Sequence, residues 1–115
     1  MKNFIQEGDT LTFTAPSGGV VSGGGYIIGD IFVVSTVTAA QGLPFAGKTT
    51  GVFEFAKLSA QAWTEGAKVY WDATNSRFTT VASGNRLVGV ASEAAANPSA
   101  VGRVRLDGGS LPAAS

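Results

Sequence analysis

Residues 10 to 15, TLTFTA, alternate threonine with Leu11, Phe13 and Ala15, the period-two pattern of a strand with one face buried. Residues 16 to 25, PSGGVVSGGG, gather proline, serine and glycine around a Val20-Val21 island. They read as a long turn or hairpin region leading into Tyr26, Ile27 and Ile28. From Asp30 onward the run IFVVSTV is apolar at both parities. That predicts a strand buried on both faces, either central in a sheet or against another subunit. TTGVFEFAKL returns to alternation, with Phe53 and Phe55 on one face and Val52, Glu54 and Ala56 on the other. Between these two strands, residues 41 to 48 read as a loop.

Residues 57 to 66, KLSAQAWTEG, have the only helix-compatible composition in the chain, and Gly66 stops them after little more than a turn. AKVYWD and RFTTV follow, joined by Ala73-Thr74-Asn75-Ser76, a hairpin signal. Ser83-Gly84-Asn85 then turns the chain into RLVGVAS. In EAAANPSA, residues 93 to 100, Pro98 lacks an amide hydrogen and disfavours helical angles in the residue before it, so this segment reads as a link between strands. VGRVRL, residues 101 to 106, sets Arg103 and Arg105 against Val104 and Leu106 and reads as an edge-like final strand, followed over 109 to 115 by a flexible tail. Many short strands with little helix predict an all-β chain. The expected architecture is a small single-domain β-barrel or sandwich of short antiparallel strands over residues 1 to 108.

Composition narrows the chemistry. With 115 residues the chain makes one domain that needs no disulfide or metal staple. Eight Lys and Arg balance eight Asp and Glu, together 14% of the chain and scattered singly. Nucleic-acid binding draws its affinity from neutralised phosphates, and this composition offers no basic surface for it. Cys and His are both absent, which removes thiol catalysis, Cys/His zinc sites, disulfides and the commonest general base. The opening MKNFIQEGDT lacks the apolar core of a signal peptide, and no apolar stretch approaches the ~18 residues a spanning helix requires. The expectation is a soluble chain made in a cytoplasm, with no membrane partner.

Several motifs invite chemistry. Gly42-Leu43-Pro44-Phe45-Ala46-Gly47-Lys48-Thr49 is a literal match to the phosphate-cradling pattern G-x-x-x-x-G-K-[ST]. A working P-loop ends a parallel strand and opens a helix, whereas Thr49 runs into strand-patterned sequence, so a surface loop is expected here. Gly23, Gly25 and Gly29 form G-x-G-x-x-x-G, one residue longer than the dinucleotide fingerprint and with no helix pattern after it. No G-x-S-x-G elbow is present. Glu7 with Asp9, or Glu65 with Asp72, would form a carboxylate pair only if the fold brought them together; otherwise they are solvated loop charges. Tyr70-Trp71 and Trp63 suit either a stacking platform or core and subunit packing, and the lack of interleaved Lys and Arg favours packing.

The succession KNFIQEGDTLTFTAP, SGGVVSGGGYIIGDIFVVS, TTGVFEFAK, EGAKVYWDATNSRFTTVASGNRLVGVA and VGRVRLDG resembles the small capsid cement, or decoration, proteins of tailed bacteriophages across residues 2 to 108. The most specific pieces are the opening KNFIQEGDTLT, the block from Gly66 to Asp72, and the closing LVGVA with GRVRL. The resemblance implies a structural β-rich subunit without enzymatic activity or cofactor. It also implies attachment to the major capsid protein on the outside of the expanded icosahedral head, commonly as a homotrimer. Two other roles stand beside it, a nucleotide-dependent recombinase-like accessory protein using residues 42 to 49 and a phage tail or baseplate binding module. The candidate contact residues are Asn3, Phe4, Ile5 and Gln6. This apolar-containing arm, residues 1 to 6, either closes the subunit's own barrel as an edge strand or adds to a neighbouring sheet.

Overall fold

The computed structural model describes residues 8–109 and 111–112. Asn3, Phe4, Ile5 and Gln6 lie outside the described residues. Among the described residues nine strands follow in chain order: β1 (Thr10–Thr14), β2 (Gly25–Ile28), β3 (Ile31–Ser35), β4 (Pro44–Lys48), β5 (Thr50–Ala56), β6 (Lys68–Asp72), β7 (Arg77–Thr79), β8 (Arg86–Ala91) and β9 (Val101–Asp107). They form two antiparallel sheets, ordered β1-β4-β3-β2 and β5-β9-β8-β6-β7. The all-β expectation therefore holds, and the helix-compatible stretch at 57 to 66 contributes only isolated bridges, through Lys57 and Trp63.

The doubly apolar run becomes β3, which is interior in its sheet and has both faces covered. Phe32 and Val34 enter the larger core with Trp63, Val69, Trp71, Phe78, Val88, Ala91, Val104 and Leu106, so this core is shared between the sheets. Aromatic contacts tie them together, with the Phe32 ring centroid 4.9 Å from that of Trp71 and 6.2 Å from that of Phe78. Such pairs add about 0.5–1.5 kcal/mol each beyond area burial. On the opposite face, Val33 joins Ala15, Val20 and Phe45 in a smaller cluster, covered by the chain around the Val20–Ala39 bridge.

Two sequence expectations are corrected. Residues 44 to 48 are not loop: they form β4, paired to β1 from Thr10↔Lys48 to Thr14↔Pro44 and to β3 at Val34↔Lys48 and Ser35↔Gly47. Pro44 and Gly47 disguised it. Proline is acceptable at a strand's first position, and glycine at 47 suits a crowded place, since a Cβ there would sit 3.1 Å from the Val33 Cβ and 3.2 Å from the Phe13 ring and the neighbours would have to give. Nor is the final strand an edge, since β9 lies between β5 and β8. Its alternation reports one solvated face, occupied by Arg103 and Arg105, and alternation says nothing about position within a sheet.

Leu111 packs against the larger core, and its N–H donates to the Asp30 carbonyl at 2.6 Å. The hairpin at 72 to 77 and the turn at 82 to 85 form where the sequence placed them.

Candidate functional site

Thr49 is the single residue between β4 and β5, at the crossover from one sheet to the other, and it is 2% exposed. Its N–H donates to the Asp9 carbonyl at 2.8 Å. Its hydroxyl, with one proton, reaches the carbonyls of Gly8 at 2.8 Å and Asp9 at 3.1 Å. Thr50 Oγ1 adds a long contact to Asp9 Oδ1 at 3.4 Å. The root of the N-terminal arm is thus fixed at the sheet crossover, beside β1. Among the described residues β1 pairs with β4 alone, leaving its other edge free.

This arrangement also decides the P-loop match. A phosphate cradle needs consecutive amides converging on one point, whereas Pro44–Lys48 is extended, with successive amides pointing to alternate neighbours. Lys48 is exposed, and the hydroxyl a P-loop would give to magnesium binds the carbonyls of Gly8 and Asp9 instead. The other glycine motif is turn chemistry: Gly23 and Gly29 have φ of 81° and 61°, in the left-handed region.

The remaining candidates resolve singly. Trp63 and Trp71 are buried in the shared core, so they pack rather than form a platform. Asp72 is engaged within its own hairpin: Oδ1 accepts from the Thr74 and Asn75 amides at 3.1 and 3.2 Å, and Oδ2 accepts from Asn75 Nδ2 at 2.8 Å. The Asn75 side chain foremost, then those amides and nearby Arg77, hold its carboxyl below the usual aspartate value against the opposing effect of burial. Among the described residues no group of three or more acidic side chains could hold a metal ion. No helix among the described residues is long and apolar enough to cross a membrane.

One charged residue escaped the sequence reading. Lys57 is 4% exposed; its Nζ donates to the carbonyls of Leu58, at 3.0 Å, and Gln61, and lies 5.6 Å from the Trp63 ring centroid. Burial pushes its pKa down. Gln61 completes the network, its Oε1 accepting from the Thr80 amide and Trp63 Nε1 and its Nε2 donating to Thr79 Oγ1. The available signal was parity, because Lys57 continues the inward series Phe53, Phe55.

Charge is distributed unevenly. Residues 10 to 47, which supply nearly all of the four-stranded sheet and its loops, carry one charged side chain, Asp30, and Arg86 pairs with it at 2.8 Å. In this half Val21, Val37 and Leu43 are 58%, 43% and 54% exposed. Val52, Val81, Val90 and Val101 are exposed in the other half as well, so what sets this half apart is its lack of charge.

A family model described as phage cement protein matches residues 5–106, spanning β1 through β8 and β9 as far as Leu106. No curated protein and no solved structure matches the chain. With the match extending over both sheets, the chain belongs to the phage cement protein family, whose role is structural and whose place is the virion capsid.

Proposed function

We propose that this protein is synthesised in the bacterial host cytoplasm and binds the outer surface of the expanded icosahedral head of a tailed phage, where it bridges major capsid protein subunits as a homotrimer. Membership of the cement family carries the reading, and the uncharged half with its exposed Val21, Val37 and Leu43 supports it. Adhesion needs shape and apolar area and no catalytic group, so the protein has no enzymatic role. Its mechanism is linkage. A protein that binds only the assembled shell stabilises that shell by RT ln(1 + [L]/Kd), which amounts to about 2.7 kcal/mol per site when free protein is at 100 times Kd. Closed cyclic symmetry multiplies the attachment points without any new kind of contact.

The docking element in this reading is the arm carrying Asn3, Phe4, Ile5 and Gln6. Its root is anchored by Thr49 beside the edge of β1 that pairs with no described residue, and strand addition from there would use backbone donors and acceptors to join a neighbouring sheet. Deleting residues 2–6 tests the proposal. The shortened protein should keep its melting temperature yet no longer co-sediment with expanded heads. Undiminished co-sedimentation would remove the arm from the docking role, and loss of folding would make it part of the subunit's own sheet.

A further inference from the structure

The two sheets are joined covalently at Thr49, and Val34 pairs with Lys48 beside that crossover. The β2–β3 turn, Gly29–Asp30, lies at the opposite end of the hairpin, where Ile28 pairs with Ile31. Nothing covalent holds that end to the five-stranded sheet, and the chain meets the need with Arg86 at the start of β8. Its Nη1 donates to the Gly29 carbonyl at 3.3 Å and its Nη2 to Asp30 Oδ1 at 2.8 Å. The same guanidinium donates from Nη2 to the Leu111 carbonyl and from Nε to the Pro112 carbonyl, both at 3.0 Å. Leu111 returns a bond to the turn, its N–H donating to the Asp30 carbonyl, and puts its side chain against the shared core. Beside it, a cleft of about 220 Å³ opens between the C-terminal segment and β8, lined by Leu87, Val90 and Pro112 among others.

We propose that Leu111–Pro112 is a strap that latches the β2–β3 turn to the five-stranded sheet, with Arg86 as its keeper. The recognition is of backbone carbonyls by a planar guanidinium that presents five N–H donors in a fixed fork, a geometry lysine does not share. Gly108, at φ 75°, turns the chain out of β9 in the left-handed region that favours glycine. Because the strap binds through backbone and a partly buried leucine, its release frees one turn locally and does not unfold the sheets.

Hydrogen exchange read residue by residue tests this on three variants, a chain ending at Gly109, Leu111→Ser and Arg86→Lys. In each, amides of β2 and the Gly29–Asp30 turn should exchange faster by about tenfold or more, the factor expected when one or two net hydrogen bonds are lost. Amides of the β5–β9 ladder should keep their native rates. Unchanged protection at the turn in a folded variant would overturn the proposal, as would a uniform rise over both sheets, which marks global destabilisation. Should the shortened chain fail to fold, Leu111→Ser and Arg86→Lys at full length decide by the same two readings.

Discussion

A hydroxyl and a methyl distinguish what Thr49 does from what its motif suggested. The side chain is buried, and its one proton serves two carbonyls at the arm's root. Thr49→Val preserves shape and removes the donor, so stability should fall by about 0.5–1.5 kcal/mol, the net worth of one hydrogen bond. Urea unfolding should show this as a lower midpoint at constant slope, while Thr49→Ser, which keeps the hydroxyl, should recover most of it. Lys48 is the control. It is exposed on β4, and Lys48→Ala should leave the midpoint within about 0.5 kcal/mol of native. Calorimetry should detect no magnesium-dependent ATP binding by either protein, and micromolar ATP affinity abolished by Lys48→Ala would restore the phosphate-loop reading.

At the scale of elements, the hairpin β6–β7 is closed by one carboxylate. Asp72 faces Arg77 across the first pair and accepts from Thr74 and Asn75 within the turn. Its pKa is lower folded than unfolded, so the stabilisation is complete above the ordinary value of 3.8 and is lost as pH falls through the folded value. An acid titration followed by tryptophan fluorescence should show that loss in the native protein, and Asp72→Asn should flatten the part of the slope below 3.8. This hairpin was legible because its signals are local. β3 was legible too, since an unbroken apolar run requires two covered faces. β4 was not, because Pro44 and Gly47 obey neighbours distant in sequence: Gly47 is small to admit Val33 and Phe13. The interior place of β9 was hidden for a related reason, as sheet order is fixed by long-range pairing that leaves the local alternation unchanged. Lys57 shows the limit at a site, its inward parity being visible while the carbonyls of Leu58 and Gln61 that satisfy it were not.

Over the whole molecule the two sheets differ in the charge they carry. The five-stranded sheet shows mixed charge outward; in its cross-strand register Val52 faces Arg105, Arg105 faces Val90, and Val90 faces Lys68. A new carboxylate at position 90 would therefore land between two cations, at little cost. In residues 10 to 47 the only charge is Asp30, already paired with Arg86, so Lys48 at the end of β4 is the one nearby-strand cation a carboxylate at position 43 could meet. Buried in an interface, an unpaired charge costs several kcal/mol. Leu43 is 54% exposed in the isolated subunit, so Leu43→Glu should leave the melting temperature within about 2 °C of native, as surface substitutions do. If this half makes the protein contacts, the same variant should bind expanded heads at least about tenfold more weakly, whereas Val90→Glu should bind as the native protein does. The reverse ranking would assign the contact to the outer face of the five-stranded sheet. Native binding by both variants would leave the arm ahead of Gly8 as the docking element, which the deletion of residues 2–6 reads directly.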